Sequence, residues 1–120
     1  MPAAMKIFNL AGIAEPLTRK EGQEILDRDH YRCQYCGLDG MVNFENSLVM
    51  TVDFVMPRAR KGKKDPANLV AACRPCNLLK GEQVFPSFEA AKAHVLKRRA
   101  ELHDEWASRV AKHRTQSAAS

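Results

Sequence analysis

The stretch CRPCNLLKG, Cys73–Gly81, sets two cysteines in a tight turn and runs them into a short helical segment closed by a glycine. Its counterpart is YRCQYCG, Tyr31–Gly37. In each, two residues separate the cysteines, so both sulfurs can face one ion from a single turn. Two such turns make a closed tetrahedral zinc site of Cys33, Cys36, Cys73 and Cys76, with Zn–S distances near about 2.3 Å. The chain has 4 cysteines, and this site uses them all. Disulfides are the main alternative, and they are disfavoured where no secretory signal is present. A thioredoxin-like redox pair would want a βαβ context that the sequence lacks. A closed four-thiolate site is structural: it folds the domain and leaves the chemistry to other residues. The gap between the two knuckles is wider than in short-spaced zinc ribbons, which predicts an inserted strand pair.

Working outward, SLVMTVDFVMP (47–57) is rich in β-branched and apolar residues and predicts a strand ended by Pro57. Alternation places Met50, Val52 and Phe54 on one face and Val49, Thr51, Asp53 and Val55 on the other. NLVAAC (68–73) predicts the second strand. PRARKGKKDPAN (57–68) between them is a basic loop with turn residues Gly62, Asp65 and Pro66. Thr18 and Glu21 form a capping-box pattern that opens a helix over about 19–28. MKIFNL (5–10) predicts a short N-terminal strand. Ser87 is positioned to cap a long helix over 87–114, whose stripe Phe88, Ala91, Val95, Leu102, Trp106 and Val110 reads as core. The last residues, TQSAAS, are expected to fray.

The totals bound the class. A chain of 120 residues is one domain by default, here 1–120, with the zinc core at 28–81. A domain so small often needs a metal staple. With 45% apolar and 28% charged residues, it has the composition of a soluble globular protein. No apolar run approaches the roughly 18 residues needed to span a bilayer. MPAAMKIFNLAG does not read as a signal peptide, so a cytoplasmic location is expected. The net charge of +5 favours polyanionic partners.

The run from RDHYRCQYCG through LVMTVDFVMPRARKGKKDPANLVAACRPCNLLKG resembles the HNH endonucleases of the four-cysteine type. Both knuckles, the VD strand end, PRAR, NLV, CRPCN and KG stand in the family's order. The resemblance implies an α+β, treble-clef-like ββα-metal core: a hairpin with a long loop and a short helix, pinned by zinc. The N-terminal strand and helix and the long C-terminal helix lie outside it. It also implies that Asp53 and Asn77 hold a catalytic divalent ion, Mg²⁺ or Mn²⁺, against the scissile phosphate, and that Asn68 orients the base through the loop. Oxygen ligands suit such a hard cation. The family's base is a His where this chain has Phe54. Neutral imidazole, with a pKa of about 6.5, takes a proton from water near neutral pH; phenylalanine cannot.

Three readings follow for a chain with Phe54: a nuclease-family fold that only binds, a nuclease with a relocated base or a metal-activated hydroxide, and an otherwise intact enzyme changed at one position. His30, Tyr31 and Tyr35 are candidate relocated bases. Taken singly, Asp53 reads as a solvated strand-end carboxylate, Asn77 as a helix cap and Asn68 as a turn residue. Together, in register beside the Cys pairs, they read as a site. Arg58, Arg60, Lys63 and Lys64 in the loop, with Lys80 after the short helix, are the candidate phosphate contacts, Arg58 foremost. Lys97, Arg98 and Arg99 read as solvated or as further phosphate contacts. Duplex DNA is the expected partner. The function expected is metal-dependent phosphodiester hydrolysis, impaired at its base. The alternative is a catalytically inactive zinc-dependent nucleic-acid-binding module, and a purely structural interaction domain is a third class. Leu102, Trp106 and Val110 would pack against MKIFNL (5–10) and close a small second core; an exposed remainder of the stripe would instead serve as a dimer face, so the expected state is a monomer or homodimer.

Overall fold

The computed structural model describes residues 12–119; the expected strand at 5–10 lies outside them. Helix α1, Arg19–Arg28, opens on the expected capping box. The Glu21 amide donates to Thr18 Oγ1 at 3.1 Å, and the Thr18 amide donates to Glu21 Oε1 at 2.8 Å. At its other end Arg28 and Asp29 moor the helix to the sheet. Arg28 donates to the Pro66 and Leu69 carbonyls at 2.8 and 2.6 Å, and Asp29 accepts the Ala71 amide at 2.8 Å. The chain then turns through His30 and Tyr31, both left-handed at φ 57° and 53°.

A short helix α2, Phe44–Leu48, precedes strand β1, Met50–Phe54. The expected strand therefore starts later than its apolar run. Asn43 caps α2 by accepting the Asn46 amide at 2.8 Å, and this local hydrogen bond overrides the strand propensity of Leu48. Strand β2, Leu69–Cys73, pairs antiparallel with β1, Met50 opposite Cys73 and Phe54 opposite Leu69. The loop between them makes two 3₁₀ turns, Arg58–Arg60 and Pro66–Asn68. Gly62 is obligatory in it, because a Cβ there would lie 1.7 Å from the Met56 carbonyl oxygen.

Cys73 ends β2 and begins helix α3, Arg74–Lys80, which Gly81 closes at φ 63°. This is the ββα order expected. The final helix α4, Phe88–Ala119, is capped by Ser87, whose hydroxyl accepts the Ala90 amide at 3.1 Å. The helix continues through Ala119, with Thr115 bonded back to the Ala111 carbonyl. Only the first half of its stripe is core. Ala91 and Val95 are fully buried, whereas Trp106 is 59% exposed. No helix among the described residues is long and apolar enough to cross a membrane.

The core is small. Tyr35, Ala72, Ala91 and Val95 pack around the cysteines, and Tyr35 meets the Phe88 ring at 5.2 Å. The four sulfurs lie within 4.8 Å of one another, with Cys36 and Cys73 at 3.7 Å. A zinc tetrahedron with bonds of about 2.3 Å has edges of about 3.8 Å, so donors and spacing fit the metal. Hydrogen bonds from Cys73 and Cys76 hold the Cys33 thiol far below its ordinary range, while the bond to Cys33 pushes Cys76 far up. Structural zinc contributes on the order of 10–16 kcal/mol in small domains, comparable to the about 5–15 kcal/mol of a whole domain's stability. Chelation at neutral pH should therefore unfold residues 33–81, seen as loss of near-ultraviolet dichroism and of amide dispersion. Restored zinc should recover both, and a spectrum indifferent to the chelator would contradict the staple.

Candidate active site

The site grows from the end of β1. Alternation turns Asp53 toward the zinc knuckle and sends Val52 toward α1, where Gly22 approaches it. Asp53 is 4% exposed. The Tyr35 hydroxyl donates to its Oδ2, and Lys80 Nζ lies 3.4 Å from its Oδ1. Tyr35 stands between Cys33 and Cys36, so the cysteine knuckle itself positions the carboxylate's partner. Burial pushes the Asp53 carboxyl up, with Tyr35 and Lys80 acting against that rise. Burial and the neighbouring Asp53 also push the Tyr35 phenol well up, which keeps it a donor and removes it as a base.

Asp53, Phe54, Arg58 and Asn77 line one open cleft of about 410 Å³, together with Glu82 and Ile13. Asn77 stands inside α3 and is not its N-cap, which is Cys73. Its amide makes no side-chain hydrogen bond among the described residues, which leaves it available to the cleft. Phe54 lines both this cleft and the groove against α1. Asn68 staples the loop: its side chain accepts the Met56 amide at 2.7 Å and donates to the Met56 and Lys63 carbonyls at 3.1 and 3.0 Å.

The expected phosphate contacts separate. Arg58 lines the cleft, with Nε donating to the Ala14 carbonyl at 3.1 Å. Arg60 and Lys63 are exposed. Lys64 is paired with Glu21 at 2.9 Å. Lys80 is not placed for phosphate at all. It is 1% exposed, faces Asp53 and donates to the Phe54 carbonyl at 3.0 Å. Lys80 follows Cys76 by one helical turn and so shares the buried ligand's face. Arg99 likewise shares the Ala91 and Val95 face and reaches Cys76 Sγ at 3.6 Å, where it opposes the charge of the thiolates. Of the candidate bases, His30 is exposed and Tyr31 bonds to Gln23; neither lines the cleft. Glu82, not singled out in the sequence, is the remaining carboxylate there.

Removing Lys80's charge isolates a buried carboxylate, which costs about 3–5 kcal/mol in comparable pairs. The sign with pH follows from burial. A raised carboxyl keeps a proton in the folded state that the unfolded chain has lost, so stability falls as pH rises through that window. Lys80→Met should lower the melting temperature most at neutral and alkaline pH and least in acid. Lys80→Met combined with Asp53→Asn should recover much of the loss; equal losses at all pH values would refute the pairing.

No curated protein and no solved structure matches the chain. Residues 33–83 match the family model described as HNH endonuclease, and the matched segment holds both cysteine knuckles, the hairpin and the cleft residues Asp53 and Asn77. Residues 33–83 are thus an HNH endonuclease domain whose four-cysteine cluster is consistent with the zinc-binding type, and that family acts on nucleic acid with a divalent metal.

Proposed function

We propose that the chain acts on duplex DNA by metal-dependent phosphodiester hydrolysis at the Asp53–Asn77 cleft, at a rate held down by Phe54. The observation that carries this is the meeting of Asp53, Asn77 and Arg58 on one open cleft. Asp53 and Asn77 offer oxygens to a Mg²⁺ or Mn²⁺ ion, and Arg58 offers its guanidinium to the neighbouring phosphate. When bound, the ion supplies Lewis-acid polarisation of a phosphate oxygen and stabilisation of the leaving 3′ oxygen. Asn68 holds the loop in shape beside the cleft, and Arg60 and Lys63 extend the phosphate track. Phe54 contributes no lone pair, so proton removal from water falls to solvent or to Glu82. A positioned base is worth about 10²–10⁴-fold.

A second reading, a module that binds nucleic acid without cutting it, has its own support. Lys80 lies against Asp53 Oδ1, where its charge competes with a divalent ion. Plasmid nicking in Mg²⁺ or Mn²⁺ separates the two readings. Slow nicking is expected from the chain as it stands, with Phe54→His raising the rate by about 10²–10⁴-fold and Asn77→Ala abolishing it. No nicking in either the parent chain or Phe54→His would leave the binding module. For binding, Arg58→Ala with Lys63→Ala should weaken duplex affinity and flatten its dependence on salt by roughly two counterions. An unchanged salt slope would place the DNA elsewhere.

A further inference from the structure

We infer that the C-terminal half of α4 is a self-association face, which pairs antiparallel with the same segment of a second copy of this chain. Among the described residues this half meets only the end of α3, at Pro75, Leu78 and Leu79. The radius of gyration is 18.2 Å, against about 14 Å for a compact chain of this length, so the helix projects and does not fold back. Leu102, Trp106 and Val110 follow one another at four-residue spacing and form a stripe along it. Trp106 is 59% exposed, and Leu78 of α3, at the foot of the same stripe, is 71% exposed. Pro75, Leu79 and Leu102 complete an apolar groove of about 470 Å³ beside Trp106.

The charges along this half identify the occupant. Glu101, Asp104 and Glu105 precede Trp106, and Arg109, Lys112 and Arg114 follow it. The two blocks cancel, so the segment lacks the excess positive charge of a phosphate-binding face. Glu101, Glu105, Arg109 and Lys112 run down one flank of the apolar stripe, and none of them makes an ion pair among the described residues. In an antiparallel pair the same flank of each helix meets itself reversed. With a two-fold axis near Trp106, Glu101 comes opposite Lys112, Glu105 comes opposite Arg109, and Leu102 meets Val110 across the seam. A parallel pairing would instead bring the acidic blocks level with each other and the basic blocks level with each other. Flanking charges of this kind set the partner and orientation of paired helices. So short a helix pair buries less than the roughly 1,200–2,000 Å² of stable complexes, and a micromolar dimer is expected.

Sedimentation velocity on the zinc-loaded full chain, from low to several hundred micromolar, tests this. The expected result is a concentration-dependent monomer–dimer equilibrium that weakens with salt. Trp106→Ala should weaken it at least tenfold. Two charge-reversed variants, Glu101→Lys with Glu105→Lys and Arg109→Glu with Lys112→Glu, should each be monomeric at unchanged helix content. Mixed in equal amounts, they should dimerise. A parent chain that stays monomeric throughout overturns the inference. So does reversal that leaves each variant dimeric alone, or a mixture that stays monomeric. The readout requires neither DNA nor cleavage, so it stands apart from the catalytic reading.

Discussion

One carboxylate is held inside the protein by a tyrosine that grows out of the zinc knuckle, and the rest of the site is arranged around that contact. Tyr35 lies between Cys33 and Cys36, so fixing the two sulfurs fixes the ring. The ring packs on Phe88 of α4 and donates its hydroxyl to Asp53 at the end of β1. Lys80 closes the network from α3, which also carries Cys76. The metal staple and the candidate chemistry therefore share residues and even a helix face. A buried carboxylate between a phenol and an ammonium is satisfied on both oxygens, and groups so satisfied rigidify their surroundings. In so small an apolar core, this polar network and the thiolates supply the order that a larger protein takes from packing.

Much of this was legible in the sequence because it follows from local rules. The capping box at Thr18, the glycine closing α3 and the serine opening α4 each depend on a side chain meeting a nearby backbone group. The cysteine spacing depends only on turn geometry. Pairing Asp53 with Asn77 needed the family's order of motifs, since nothing in their separate neighbourhoods brings them together. What escaped was decided by tertiary burial. A lysine in a basic protein reads as a phosphate contact, yet Lys80 stands one turn after Cys76, and that ligand drags its helix face inward. Arg99 follows Val95 by the same interval and meets the sulfurs for the same reason. Placing charged residues on the wheel of a metal-bearing helix would have found both. The short helix 44–48 was missed because Asn43, a local cap, outweighed the β-branched composition that follows it.

Burial also explains why the two ends of α4 differ. At Ala91 and Val95 the stripe faces the zinc core and is sealed by it. Beyond Arg99 the core ends, but the apolar repeat continues through Trp106 and Val110. A pattern of apolar spacing predicts that a face is covered without stating what covers it. The sequence could thus mark the whole stripe as core while the described residues provide a partner for only half of it.

The same network bears on how position 54 tolerates phenylalanine. Lys80 holds this residue through its backbone carbonyl, and β2 pairs with it through Leu69. Neither contact involves the side chain. The ring lines both the cleft and the groove against α1. The fold therefore does not require histidine there; only proton transfer does. Asp53 is in the opposite situation. Replacing it strands the buried Lys80 charge and removes the acceptor of Tyr35, so its loss would be felt by the structure before it was felt by any reaction. A chain can accordingly lose its base and keep its carboxylate for structural reasons alone. The fold itself thus requires Asp53, whereas the Asn77 amide makes no side-chain hydrogen bond among the described residues and is left to the cleft.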